Sequence, residues 1–502
     1  SLTSRVADDL KPKGPSPARL YGLAKIHKAL VNGLPKFRPI ISQIGSPTYK
    51  LAKYLVSIIR PVTTNDYTLK DSFEFSSIID KQNHRLYMAS LDVDSLFTNV
   101  PLDETIDIIA DNLYKRKKVL NGISKSDFKD MLRLATKGSV FYFSGNYYRQ
   151  LDGVAMGSPL GPLFANAFLC HYEQEWLNQC PRNITPMFYK RYVDDIFVLL
   201  KSSDQLPSFV DYMNAKHDNM TFTFENEVDG VMSFLDIKIY RECNSFRTSI
   251  HRKETFSGVY SNYVSFIPFE YKLGLIFTLL HRCYSLVSNL ENFRKEVVTL
   301  KEILKKNAYP SKVVNSCVHK YWNKILNRDI PVHTVPKKDV FLVLPFLGSN
   351  SLQLRTKLVK SFSKIMPWCK LNVVFKTSNR LGSFFQFKDK LPKSLSSGVI
   401  YKYKCSRCNA TYIGKTFRYY ETRLQEHLDI SALTGKPRKC FQMWPPKEHL
   451  IKCGGTNTRD DFSIIGREKD HHLLRVKESI FVYTHNPTLN DRSESAKLYL
   501  YN

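Results

Sequence analysis

The 502-residue sequence has no uninterrupted apolar stretch near eighteen residues; its best run, Leu273 to Leu280, is short, so no membrane-spanning helix is expected and the protein should be soluble. Cysteine is scarce. Ten residues are too few for a disulfide framework, and two of them stand as Cys405-x-x-Cys408, which points to a reducing compartment, cytosol or nucleus. Acidic residues fall short of basic ones, 46 against 74, leaving a net charge of +28. A surplus of that size on a foldable chain points to a polyanionic partner, nucleic acid first. Repeats and low-complexity tracts are lacking too. The N-terminus, Ser1-Leu2-Thr3-Ser4-Arg5, has neither an initiating Met nor an apolar leader and reads as a fragment. Core material, by contrast, is plentiful: 43% of residues are apolar and 13% aromatic, too many for a disordered chain. The length exceeds what one hydrophobic core fills, so two to four domains are expected.

Residues 331–392 carry 11 basic against 2 acidic side chains, the densest charge in the chain, and proline and lysine punctuate both ends (Val335-Pro336-Lys337-Lys338, Leu391-Pro392-Lys393). This stretch reads as a basic linker module, with Val340 to Leu344 and Leu371 to Phe375 as short strands. Residues 255–330 before it read helical: Phe293, Val297, Leu300 and Leu304 share one helix face, and Val314, Val318, Tyr321 and Ile325 share another, with Ser311 as N-cap of the second helix. Residues 85–250 mix strands and helices, giving an α+β domain ahead of a helical one.

Two constellations carry chemistry. In the first, Tyr192-Val193-Asp194-Asp195 lies between apolar flanks and reads as strand, tight turn, strand. Asp92 leaves another apolar run, Leu86 to Ala89, and strands side by side would bring it to the Asp194-Asp195 turn. Three converging carboxylates suit two Mg²⁺ ions, hard cations that prefer oxygen and sit about 3.5 to 4 Å apart to hold the attacking and leaving oxygens in phosphoryl transfer. The run from Gly153 to Asn166, which includes Gly157, would let backbone approach a template base or nucleotide closely, and an apolar helix follows.

The order of these segments resembles the palm of reverse transcriptases. Tyr21-Gly22-Leu23-Ala24-Lys25-Ile26-His27-Lys28, Phe37-Arg38-Pro39-Ile40-Ile41-Ser42 and Phe234-Leu235-Asp236 are more similar to Penelope-like retroelements than to viral enzymes. The resemblance implies that Asp92, Asp194 and Asp195 bind two Mg²⁺, that Lys25 and Arg38 grip the triphosphate from the fingers, that Gly157 lines the nucleotide site, and that Phe97 excludes a ribose 2′-OH. Arg38 offers a planar fork suited to phosphate. Met156, Gly161 and Ala24 depart from the family, where Gln, Ser and Pro are common. The helices of 255–330 would then be the thumb.

In the second constellation, strand-like pieces flank Cys405-x-x-Cys408, Arg423 and His427 share one face of a helix expected over about 418–428, Glu478 lies in a helical stretch, and Asn490 follows Pro487. This pattern resembles the GIY-YIG endonucleases, with Val399-Ile400-Tyr401 and Tyr412-Ile413-Gly414 as the two triplets and Val399 in place of the usual first Gly. The resemblance implies that Tyr401 and Tyr412 activate and orient water, Arg423 neutralises the scissile phosphate, Glu478 holds one Mg²⁺, and His427 and Asn490 support them. Cys405 and Cys408 also look like the start of a structural zinc site, which the resemblance completes with two downstream ligands. His449 and Cys453 are the candidates, with Cys440 and His427 as rivals.

Together these readings give an α+β protein: a right-hand reverse transcriptase with fingers and palm over 1–254 and thumb over 255–330, a basic linker over 331–392, and a small α/β GIY-YIG nuclease with a zinc site over 393–502. The resemblance implies an RNA-directed DNA polymerase of a retrotransposon that nicks target DNA and extends the freed 3′ end on the element RNA. Its partners would be that RNA, target DNA, their hybrid and deoxynucleoside triphosphates, with no membrane, working in the nucleus and passing through the cytoplasm during synthesis and RNA binding. Two alternatives stay open: a telomerase-like or intron-associated enzyme extending existing ends, and a domesticated nucleic-acid-binding protein without turnover.

Overall fold

The computed structural model describes residues 4–12, 14–26, 30, 32–115, 119–120, 122–326, 337–377, 381–385, 388–431, 434–437 and 443–491. Helix α1 (Ser4–Leu10) precedes strands β1 (Ala18–Ala24) and β2 (Phe37–Ser42), helices α2 (Tyr49–Ile59) and α3 (Ser72–Ile79), and strand β3 (Tyr87–Val93). A short α4 (Leu96–Asn99), α5 (Leu102–Tyr114), the small hairpin β4 (Val119–Leu120) and β5 (Ile123–Ser124), α6 (Lys125–Thr136), the hairpin β6 (Val140–Phe143) and β7 (Asn146–Arg149), and α7 (Gly161–Gln179) follow. Then come β8 (Phe188–Tyr192), β9 (Asp195–Leu200), α8 (Gln205–Asn214), β10 (Phe222–Asn226) and the meander β11 (Val231–Phe234), β12 (Ile237–Arg241) and β13 (Phe246–Ile250).

Strands β2-β1-β6-β7 make one sheet and β10-β3-β9-β8 another. The second sheet is sandwiched, and its two faces explain its sequence. Ala89, Leu91, Val93, Ile196, Val198 and Leu200 point into a core shared with α5 and α7, while Met88, Phe197 and Leu199 point into a second core shared with Phe75 of α3 and with Phe234, Ile237 and Ile239 of the meander. A strand buried on both faces must be apolar at every position, which is why Ile196 to Leu200 has no polar residue. The period of two puts Asp92 and Asp195 on the second face, just past the end of its apolar cover.

Helices α9 (Phe269–Leu286), α10 (Leu290–Lys306) and α11 (Ser311–Leu326) pack around Leu280 together with Phe293, Leu300, Leu304, Val314 and Tyr321, which the helical periodicity singles out. Asn289 caps α10 by accepting from Asn292 N at 2.7 Å, whereas Ser311 is the first residue of α11 rather than a cap ahead of it. The described residues of the basic stretch carry the two strands expected there, with a helix between them. Strands β14 (Lys338–Pro345) and β15 (Cys369–Lys376) are parallel and joined by α12 (Ser349–Ile365), and Arg355 of α12 forks onto both carboxylate oxygens of Glu270 at 2.9 and 2.7 Å.

The last unit holds β16 (Val399–Lys404), β17 (Thr411–Thr416), α13 (Tyr420–His427), α14 (Pro445–Cys453), β18 (Phe462–Arg467) and α15 (His471–His485), with sheet order β17-β16-β18. Alternation along β16 sends Val399, Tyr401 and Tyr403 toward α13 and α14, and Ile400 toward α15. The segment leading into it is laced to the first sheet. Asp389 accepts from Arg19 through its carbonyl at 3.1 Å and from Ser144 N through its carboxylate at 2.6 Å, Lys388 donates to Ser42 at 2.6 Å, and Ser397 donates to the Pro15 carbonyl at 2.8 Å.

Candidate active sites and a metal-ligand cluster

The β8–β9 hairpin turns through Val193 and Asp194, with Val193 in the left-handed region at φ +58°. Antiparallel pairing sets Asp92 of β3 directly opposite Asp195 of β9, as the expected strand neighbourhood requires. Thr223 of β10 lies opposite Asp92 on the other side. Partial desolvation, then the like charges of Asp194 and Asp92, raise Asp195 to about 6, with Lys253 opposing and Glu225 adding to the shift. Three carboxylates gathered at the end of neighbouring strands offer an oxygen donor set that suits Mg²⁺. Lys253 and Glu225 carry no sequence signature.

Phe97 is half-buried on α4, where a Cβ on Gly161 would stand 3.6 Å from its ring. Arg38 is exposed opposite Leu23 in the β1–β2 pair, and Lys25 follows Ala24 with its N–H bonded to the Lys36 carbonyl at 2.8 Å, so both cations sit at the loop end of one hairpin. His27 and Lys28 of that motif lie outside the described residues. Gly157 has φ +110° and a Cβ there would stand 2.6 Å from the Ile41 carbonyl, so its smallness permits a close approach to β2; a Cβ on Gly153 would likewise collide with the Thr98 backbone.

In the last unit the Tyr401 hydroxyl is the centre. It hydrogen-bonds His427 Nε2 at 2.7 Å and accepts from Arg423 Nε at 3.3 Å, so the helix-face pair Arg423 and His427 converges on it. Burial holds the Tyr401 phenol above its ordinary value despite Arg423. His427 is buried, stacked on Trp444 at 3.6 Å, and brought down to about 3 by burial and by Arg423 and Arg418, so it is neutral and orients the phenol rather than serving as a strong base. Gly414 lies across from Tyr401, where a Cβ would stand 2.6 Å from the hydroxyl. Tyr412 packs edge-on against Trp444, Asn490 clamps both backbone groups of Ile413 at 2.8 Å, and Glu478 is paired with Lys415. Trp444 and Lys415 are additions the sequence did not mark.

Cys405, Cys408, His449 and Cys453 form one cluster, every ligand atom within 4.8 Å of the others. A tetrahedral zinc with sulfurs at about 2.3 Å would separate them by about 3.8 Å, so the set fits. Burial opposes ionisation of Cys405, but the N–H groups of Cys408 and Arg407, with His449, bring its thiol down to about 6. Of the rival ligands, His427 is committed to Tyr401, and Cys440 lies outside the described residues.

Residues 26–227 match the family model of reverse transcriptase (RNA-dependent DNA polymerase), and residues 259–319 match that of the animal helix-turn-helix domain. No curated protein matches the sequence. Among solved structures the chain is similar to a C-terminally truncated apo telomerase from Candida tropicalis (13% identity, TM-score 0.33, covering 47% of this chain and 55% of that one). It is also similar to a telomerase from Candida albicans solved with a TWJ fragment of telomeric RNA (11%, 0.43, 73% and 67%) and to a Sicinivirus 3Dpol RNA-dependent RNA polymerase (13%, 0.39, 64% and 71%). The chain thus spans little more than half the length of the first of these. With Asp92, Asp194 and Asp195 gathered on one sheet inside the matched span, the chain carries a reverse transcriptase domain.

Proposed function

We propose that the protein is a Penelope-like retroelement polymerase that copies RNA into DNA from a 3′ end freed by its own GIY-YIG nuclease unit. The observation that carries the polymerase half is the pairing of Asp92 with Asp195 beside Asp194 within the reverse transcriptase match. Two Mg²⁺ would be held by Asp92, Asp194 and Asp195, and would supply charge for the triphosphate and the attacking 3′ oxygen. Lys25 and Arg38 would bind the triphosphate, Phe97 would select deoxyribose, and α9–α11 would lie along the template–primer duplex.

In the nuclease unit, Tyr401, oriented by His427, would hold the attacking water with Tyr412. Arg423 would face the scissile phosphate, Glu478 would release Lys415 to take one Mg²⁺, and Asn490 would fix the Tyr412-Ile413 strand. Zinc at Cys405, Cys408, His449 and Cys453 would be structural. The net charge of +28 suits simultaneous grip on element RNA, target DNA and their hybrid in the nucleus.

The test is deoxynucleotide incorporation on an RNA template with a DNA primer in Mg²⁺, alongside nicking of duplex DNA. Asp194→Asn should abolish extension while leaving nicking, and Glu478→Ala the reverse. Extension without nicking by the parent would favour an enzyme that extends existing ends; RNA binding with neither activity would leave a binding protein.

A further inference from the structure

The turn that carries the candidate metal ligands is strained. Val193 is β-branched yet sits at φ +58°, where glycine or asparagine would rest without penalty. Such a conformation persists only when its surroundings enforce it. One group does so from inside the protein. Arg191 is fully buried, and its Nη1 donates to the Val193 carbonyl at 3.0 Å and to Asn166 Oδ1 at 2.8 Å. Its other edge meets Glu173, Nε to one oxygen at 2.5 Å and Nη2 to the second at 3.0 Å.

Glu173 is itself braced, accepting from Asn65 at 2.9 Å and from the Tyr189 hydroxyl at 3.0 Å. The Arg191 backbone is tied on both sides, donating to the Tyr67 carbonyl at 2.8 Å and accepting from Leu69 N at 2.7 Å. The fork therefore has a fixed origin on β8 and, on α7, a fixed counter-charge with Asn166 Oδ1 and Cys170 Sγ beside it at 2.8 and 3.4 Å; its contact with the turn is the carbonyl next to Asp194.

We infer that Arg191, braced by Glu173, is a positioning residue that holds Asp194 and Asp195 in register with Asp92 by fixing the Val193 carbonyl. The inference rests on the polymerase reading. A buried ion pair adds little stability over an apolar pair of the same volume, so stability alone does not account for these charges. What they give is direction, since a planar guanidinium engages a carboxylate with one edge and a carbonyl with the other, and an ammonium does not.

Two variants of the full chain test this. Arg191→Lys keeps the charge opposite Glu173 and loses the fork, and Arg191→Met with Glu173→Gln removes both charges, leaving neither stranded. The readouts are the Mg²⁺ concentration for half-maximal incorporation, Mn²⁺ affinity by titration without substrate, and unfolding temperature. The expected result is a half-saturating Mg²⁺ concentration raised about 10- to 100-fold, as when a partner that orients a metal ligand is lost, with Mn²⁺ affinity falling in parallel. If either variant folds and keeps parental Mg²⁺ and Mn²⁺ dependence, the inference is wrong, even where its unfolding temperature drops. Should Arg191→Lys not fold, the double variant decides. Extension that survives Asp194→Asn would instead sink the polymerase reading, while the Mn²⁺ titration would still report on the turn.

Discussion

Asp195 is raised to about 6 because it is partly desolvated among like charges, and this makes the metal-free fold pH-dependent in a definite direction. A carboxyl whose folded value lies above its unfolded value of about 4 stabilises the fold below pH 4, and that contribution is lost as pH rises through 6. Asp195→Asn should therefore unfold at nearly the parental temperature at pH 4 and at a higher one at pH 7, and millimolar Mg²⁺ should close the gap by stabilising the parent. A gap independent of pH would refute the shift. Single atoms also decide two glycines. Gly414→Ala would drive a methyl into the Tyr401 hydroxyl, and should cost nicking far more than extension. Gly153→Ala, strained by φ +73° and by the Thr98 carbonyl, should cost the polymerase unit about 1–3 kcal/mol in chemical denaturation.

Elements that bury an alternating or continuous apolar pattern were legible from sequence, because burial forces the pattern. The hairpin at Asp194-Asp195, the helix faces through Phe293 and Val314, and the strands around Cys405 belong here. Helix α12 was not legible, because among its residues only Ser351 is buried, so no apolar stripe was required of it. The clamp behind the turn escaped for another reason: Arg191 and Glu173 meet through tertiary packing between β8 and α7, and one buried charge leaves no periodicity to read. The β14–α12–β15 unit makes its own prediction. Phe346 is 8% exposed and packs on Phe266 and Phe375, whereas the Arg355–Glu270 pair is largely solvated. Phe346→Ala should cost about 3 kcal/mol and open this unit to limited proteolysis, while Arg355→Ala should cost under about 1 kcal/mol.

At the scale of the whole chain, the +28 charge predicts that affinity for RNA falls steeply with salt, with a log–log slope that counts the phosphates neutralised. The Cys405, Cys408, His449 and Cys453 cluster predicts about one zinc per chain by metal analysis. Chelation should melt the last unit and abolish nicking, and leave primer extension largely intact, since none of the four ligands lies in the polymerase unit. Extension lost together with nicking would mean that the two units stand or fall together.

The lacing of residues 388–397 onto the first sheet bears on how the two candidate activities would communicate. A free tether lets two sites search for each other, and the distance between them fluctuates. Here Arg19, Ser42, Ser144 and Pro15 pin the joining segment, so little slack separates the units. A duplex bound across both is stiff over about 150 base pairs. The path a freed 3′ end must travel from the cut to the polymerase site would then be set by the fold rather than by chance encounter, and loosening Asp389 should lower the fraction of nicked ends that are extended.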